Sequence, residues 1–296
     1  MHLTGCQLPY ILESAYDQAR LLNSAIPLKE ALANPSLSQE ERRKLAMVAS
    51  VKQFAVDELK LTPTKNYTSF VALKRPYVTY VVSASEKKRL VPYQWHFPII
   101  GTVPYKGYFD PRDAEVEQQK LKVLNYDTLV RGATAYSTLG WFRDPLLSSM
   151  LHGSDYDFVN VIIHETVHAT LYIPSNADFN ERLATFIGNK GAALYFQKLE
   201  GIDSPTLKRV QDETEDEKIF SEFISGEIRE LDEWYRQREH QPLSESERVA
   251  RLRLISERFA KQVRPKMRTN AYAEFGTKDL NNAVVLLYKS TTALFK

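Results

Sequence analysis

The feature that most constrains this chain is the segment Tyr156–Tyr172. Phe158, Val159, Val161, Ile162, Ile163, Val167, Ala169 and Leu171 cover most of its circumference when it is wound as a helix. A helix apolar on so many sides needs neighbours almost all round, so it has to lie at the centre of a packed domain. Yet the same segment carries His164, Glu165 and His168. Two imidazoles and a carboxylate in such a helix are costly unless something binds them.

Their spacing says what can bind. Helical residues four apart lie one turn above each other, so both imidazoles can reach one ion. Glu165 is rotated about 100° from His164, which puts its carboxylate beside the ion rather than on it. There it can act as general base toward water and then as general acid toward a leaving amine. Zinc suits imidazole and carboxylate ligands with one tetrahedral position left for water. With 6 His and 23 Glu in 296 residues, chance produces His-Glu-x-x-His in about one chain per hundred of this composition. The non-metal reading is a helix whose histidines are merely packed and whose Glu165 is solvated. The apolar surroundings argue against it.

The third ligand is expected from the next helix, Asp178–Leu199. Glu181 is favoured over Asp178 because Glu181, Ala184, Thr185, Gly188 and Ala192 form a stripe of mostly small residues. Such a stripe lets two helices approach closely. Asp178-x-x-Glu181 also reads as a capping box, the non-metal explanation of Glu181.

Elsewhere the pattern predicts an α+β chain, mainly α-helical with a small mixed sheet. Helices are expected over 7–33, 38–59 (with Ser38 and Glu41 as a capping box), 110–124, 205–238 and 244–261, with a terminal helix capped by Asp279 or Asn281. Strands are expected over 77–82, 97–103, 105–109 and 128–136, and a loop or short hairpin over 139–147. The segments 205–238 and 244–261 form a charged pair broken at Gln241-Pro242 and read as an antiparallel helical hairpin. The expected organisation is a lipobox-like N-terminus at 1–6, a catalytic core over 7–200 and a C-terminal helical region over 201–296.

Net charge is +2, which argues against a nucleic-acid partner. No run of 18 apolar residues is present, so no transmembrane helix is expected. The single cysteine, Cys6, excludes an internal disulfide. Leu3-Thr4-Gly5-Cys6 ends like a bacterial lipoprotein signal, though the apolar stretch that precedes such an end is absent; one reading is membrane attachment through a lipid on Cys6, the other a chance match.

Several segments resemble the bacterial putative aminopeptidases, zinc peptidases of the gluzincin type. They are Val91-Pro-Tyr-Gln-Trp-His-Phe-Pro98, Gly101-Thr-Val-Pro-Tyr-Lys-Gly-Tyr-Phe109, Ala135-Tyr-Ser-Thr-Leu-Gly-Trp-Phe-Arg-Asp-Pro-Leu-Leu147, His164–His168, Phe179-Asn-Glu181 and Leu280-Asn-Asn282. The resemblance implies a gluzincin-like core with His164, His168 and Glu181 holding Zn2+ and Glu165 as base. Many relatives look like lipoproteins, so it also implies a cell-envelope, periplasmic location. Two features depart from the pattern. Ala184 and Thr185 stand where gluzincins often carry an acidic residue that orients a histidine. The Gly-x-Met-Glu-Asn strand that binds a substrate amino group in well-studied gluzincin aminopeptidases is missing.

In a gluzincin layout the strand before Tyr136 edges the cleft and pairs with extended peptide. Tyr136 is then expected to steady the tetrahedral oxyanion; the competing reading is a core tyrosine. Tyr105, Tyr108, Trp141 and Arg143 are further cleft candidates. Trp95 and Trp234 read as core, His96 and His152 as structural. The expectation is a zinc-dependent peptidase that uses a metal-activated water on peptide or protein substrates, with endo- and aminopeptidase both open. The alternative is a non-catalytic envelope lipoprotein with a structural metal and a partner-binding hairpin.

Overall fold

The computed structural model describes residues 8–97, 101–134, 143–173 and 176–293. Along the chain they form α1 (Leu8–Asn23), β1 (Ile26–Pro27), α2 (Leu28–Leu32), α3 (Gln39–Asp57), β2 (Ser69–Val71), β3 (Thr79–Glu86), β4 (Trp95–Phe97) and β5 (Gly101–Val103). Then follow β6 (Lys106–Tyr108), α4 (Pro111–Val123), β7 (Tyr126–Ala133), β8 (Leu146–Leu147), α5 (Asp155–Thr170), α6 (Ala177–Glu200), α7 (Pro205–Arg236), α8 (Glu245–Arg258) and α9 (Asn282–Ala293). The class is α+β, mainly helical with small sheets. Cys6 and Tyr136 lie outside the described residues. Among those described, no helix is long and apolar enough to cross a membrane.

The chain separates into two compact units, each drawn from two stretches: residues 1–79 with 132–208, and 80–131 with 209–296. The units are thus each discontinuous in sequence.

In the first unit α3 starts as its sequence requires. The Ser38 hydroxyl accepts from the Glu41 N–H, and the Glu41 carboxylate accepts from the Ser38 N–H. Lys44, 4% exposed, donates to the carbonyls of Leu151 and Gly153. That ties α3 to the turn from which α5 springs. α5 is capped by Ser154, whose hydroxyl accepts from the Asp157 N–H. Val159, Ile162 and Ile163 are fully buried, so this helix is central as its apolar girth demanded. A three-stranded sheet orders β1-β2-β8. β1 is antiparallel to β2, and β2 parallel to β8 in register Val71↔Leu147. The parallel partner delivers the chain directly into the turn before α5.

Two expectations change here. The helix expected over 7–33 breaks at Ser24, where the Ser24 hydroxyl turns back to the Leu21 carbonyl. Ile26–Pro27 then pair with Phe70 and Ser69; proline has no N–H to continue a helix. Of the strand expected over 97–103, residues 98–100 lie outside the described residues, and Phe97 and Gly101–Val103 belong to opposite strands of a hairpin, with Trp95↔Val103 and Phe97↔Gly101 paired. Gly101 sits at φ +75°, a conformation that favours glycine.

The second unit contains that hairpin and a sheet ordered β6-β3-β7. α4 begins with Asp110 as cap and Pro111 in its first turn. α7 and α8 form the expected hairpin around a common core. Phe220, Ile224 and Leu231 meet Leu252, Ile255, Phe259 and Val285 there. A buried pair, Asp127–Arg248 at 2.7 Å, joins β7 to α8. Asp127 also accepts from the Asn282 N–H at 2.8 Å, and the Asn282 side chain donates to the Glu86 carbonyl at 2.8 Å. Asn281 donates to the Thr128 carbonyl and caps the Val284 N–H. Asn281 and Asn282 therefore anchor α9. Trp95, 3% exposed, donates its indole N–H to Glu117, as a core residue should.

Candidate metal centre

The site is built where α6 crosses α5. α5 and α6 lie close because glycine and alanine line the contact. Ala184 and Ala192 are fully buried. A Cβ added at Gly188 would lie 2.7 Å from Asn160 Oδ1 and 3.3 Å from His164 Cβ; one at Gly191 would lie 2.7 Å from Leu59 Cδ1. No larger side chain fits without moving a neighbour. Of the stripe read from sequence, Ala184, Gly188 and Ala192 face inward and Thr185 is exposed.

This closeness brings three side chains together. His164 Nε2 and His168 Nε2 are 3.1 Å apart. Glu181 Oε2 is 3.5 Å from His164 Nε2, and Glu181 Oε1 is 3.4 Å from His168 Nε2. All three residues offer ligand atoms within 4.8 Å of one another. For a tetrahedral ion with bonds of about 2.0–2.1 Å, ligand atoms sit roughly 3.3–3.4 Å apart. The spacing fits a divalent ion of zinc's size. The donor set fits as well: burial, followed by the charge of His168, holds the His164 imidazole below its ordinary pKa of 6.5. That favours the neutral ring, the form that offers a lone pair to a metal.

Glu181 reaches this place without a capping box. α6 is capped at Asn176 with no side-chain hydrogen bond, so Glu181 lies within the first turns, and its side chain is 55% exposed against 20% for His164. Asn180 sets that geometry. It is 2% exposed, accepts from the Ile173 N–H at 3.0 Å and donates to the Ile173 carbonyl at 2.8 Å. The loop leaving α5 is thereby fixed to the start of α6. An asparagine beside a candidate ligand was its only signal in sequence.

Glu165 is half-buried next to His164. A second residue unseen in sequence is Tyr67, 5% exposed at φ +59°. Its N–H donates to the Asp144 carbonyl at 2.8 Å. Burial, then the nearby charges of Glu165 and Asp144, raise its phenol well above the ordinary range. Tyr67 therefore stays a neutral hydroxyl close to Glu165.

Of the other candidates, Tyr136 and Trp141 lie outside the described residues. Arg143 is exposed in the first unit. In the second, Tyr105 is exposed and Tyr108 buried. His96 is exposed, and Trp234 is half-buried under the Arg238 guanidinium.

The family model described as "Putative aminopeptidase" matches residues 9–296. No similar curated protein and no similar solved structure is found.

Proposed function

From the chain's membership of the putative aminopeptidase family, we propose that it is a zinc-dependent peptidase whose centre is His164, His168 and Glu181, with Glu165 as general base and acid. The observation that carries this is the convergence of two imidazole Nε2 atoms and the Glu181 carboxylate at 3.1–3.5 Å. Zinc held there supplies a Lewis acid that polarises the scissile carbonyl and acidifies water. The chain's residues do the rest. Glu165 takes the proton of the attacking water as its oxygen bonds to the carbonyl carbon. It then gives that proton to the leaving nitrogen as the C–N bond breaks. Tyr136, three residues beyond the end of β7 and outside the described residues, is proposed to donate to the oxyanion. A gluzincin-type core, a lipid on Cys6 and a place in the bacterial envelope belong to the same reading. Nothing in the residues selects an amino terminus, so both exo- and endopeptidase action remain within the proposal.

The test is hydrolysis of a broad peptide library by the wild type and Glu165→Gln with metal content measured in both. The proposal expects equal zinc and at least about a hundredfold loss of rate in the variant. Zinc-loaded proteins that are equally inert would instead mark the metal as structural.

A further inference from the structure

The first unit holds a cavity of about 480 Å³ between α3 and the segment 62–68. Its volume is that of a small-molecule site. Leu28, Val48, Ala49, Val56 and Pro63 supply apolar wall. Lys52 also lines it, one α3 turn from Val48 and from Val56. None of His164, Glu165, His168 and Glu181 lines the cavity; of α5 only Thr166 borders it, about 200° around that helix from His164, and Tyr67, the phenol near Glu165, forms part of its wall.

The polar wall groups are mostly committed inside the chain. The Thr166 hydroxyl donates to the Ile162 carbonyl and that of Thr68 to the Lys65 carbonyl. Lys52 differs. Its ammonium donates to the carbonyls of Thr64 at 2.9 Å and Asn66 at 2.6 Å. An ammonium has three donors, so one is unspent among the described residues. No carboxylate pairs with it there, and burial alone pulls its pKa down. A half-buried cation without a counter-charge, set in an apolar wall, is a recognition element for an anion with an apolar body.

We propose that this cavity binds a small monocarboxylate, with Lys52 Nζ donating to the carboxylate and the apolar residues of α3 and Leu28 covering its tail. Two sources share that chemistry: a fatty acid, and the carboxyl end of a peptide or amino acid with an apolar side chain.

The experiment is isothermal titration of the full chain with octanoate, N-acetylleucine and the uncharged octanol. At least one carboxylate is expected to bind about tenfold or more tighter than octanol. Preference for octanoate points to the fatty acid, and preference for N-acetylleucine to the peptide end. Lys52→Met should remove that advantage, and Ala49→Phe, at an exposed wall position, should abolish binding by filling the space. Protein stripped of metal by a chelator should bind as before, because none of His164, His168 and Glu181 lines the cavity. If Lys52→Met does not fold, the octanol ratio and Ala49→Phe decide. Absence of binding, equal binding of octanol and octanoate, indifference to Ala49→Phe, or loss of binding on metal removal would overturn the proposal.

Discussion

Replacing Gly188 by alanine and then by valine separates the stability of the α5–α6 contact from its service to the metal. The new Cβ would lie 2.7 Å from Asn160 Oδ1, 3.3 Å from His164 Cβ and 3.4 Å from the Asn160 carbonyl oxygen. The Asn160 amide can swing away, at the expense of its hydrogen bond to Asn189, which costs about 1 kcal/mol. Alanine in a helix returns about 1 kcal/mol relative to glycine. Metal-free Gly188→Ala should therefore melt within a few degrees of wild type. His164 Cβ cannot swing. An ordinary carbon contact of about 3.7 Å requires α6 to retreat by roughly 0.4 Å. Glu181 rides on the same helix, so its 3.4 and 3.5 Å spacings to the imidazoles open. Metal sites tolerate only about 0.2 Å in ligand distance. We expect zinc affinity, measured by competition with a chromophoric chelator, to fall about tenfold in Gly188→Ala. In Gly188→Val the affinity should fall further, with overpacking costing about 1–3 kcal/mol of stability. A valine variant that binds zinc as tightly as wild type would refute the reasoning.

Asn180→Ala removes both bonds to Ile173. Urea unfolding should register a loss of about 1–3 kcal/mol, together with weaker zinc binding. His164 titrates below its ordinary 6.5 in the folded chain, from burial and then the His168 charge. The unfolded chain thus binds more protons in acid, so metal-free stability is lost as pH falls through 6.5. His164→Gln should flatten that decline in melting temperature between pH 7.5 and 5. Asp127→Ala leaves the Asn282 N–H without its acceptor and the buried Arg248 guanidinium with Glu245 as its one remaining carboxylate among the described residues. Chemical denaturation should show a loss of about 1–3 kcal/mol, whereas Arg43→Ala, at two surface ion pairs, should cost under about 1 kcal/mol.

Periodic features were legible in the sequence because their causes are local. The Ser38–Glu41 box, the Asp110-Pro111 start and the α7–α8 hairpin each follow from residues a few positions apart. So does the helix bearing His164 and His168. The small residues of α6 announced a close crossing before any contact was known. What escaped reading depends on partners far along the chain. The break after Asn23 exists because Ile26 pairs with Phe70, and Leu146 forms a strand because Phe70 lies beside it. Asn281 was legible as a cap of the terminal helix, but that it also ties to Thr128, and Asn282 to Asp127 and Glu86, was not. Lys52 looked like any helical lysine; only the folded carbonyls of Thr64 and Asn66 explain its position. Tyr67 became visible only once the fold had set it beside Glu165.

The central claim is that His164, His168 and Glu181 hold one zinc ion. X-ray absorption at the zinc edge, on protein loaded to one equivalent, tests it most directly. The account predicts two imidazole nitrogens and light oxygen ligands at about 2.0–2.1 Å, with one imidazole lost in His168→Ala and the oxygen shell changed in Glu181→Ala. A spectrum that is identical in wild type, His168→Ala and Glu181→Ala would contradict it.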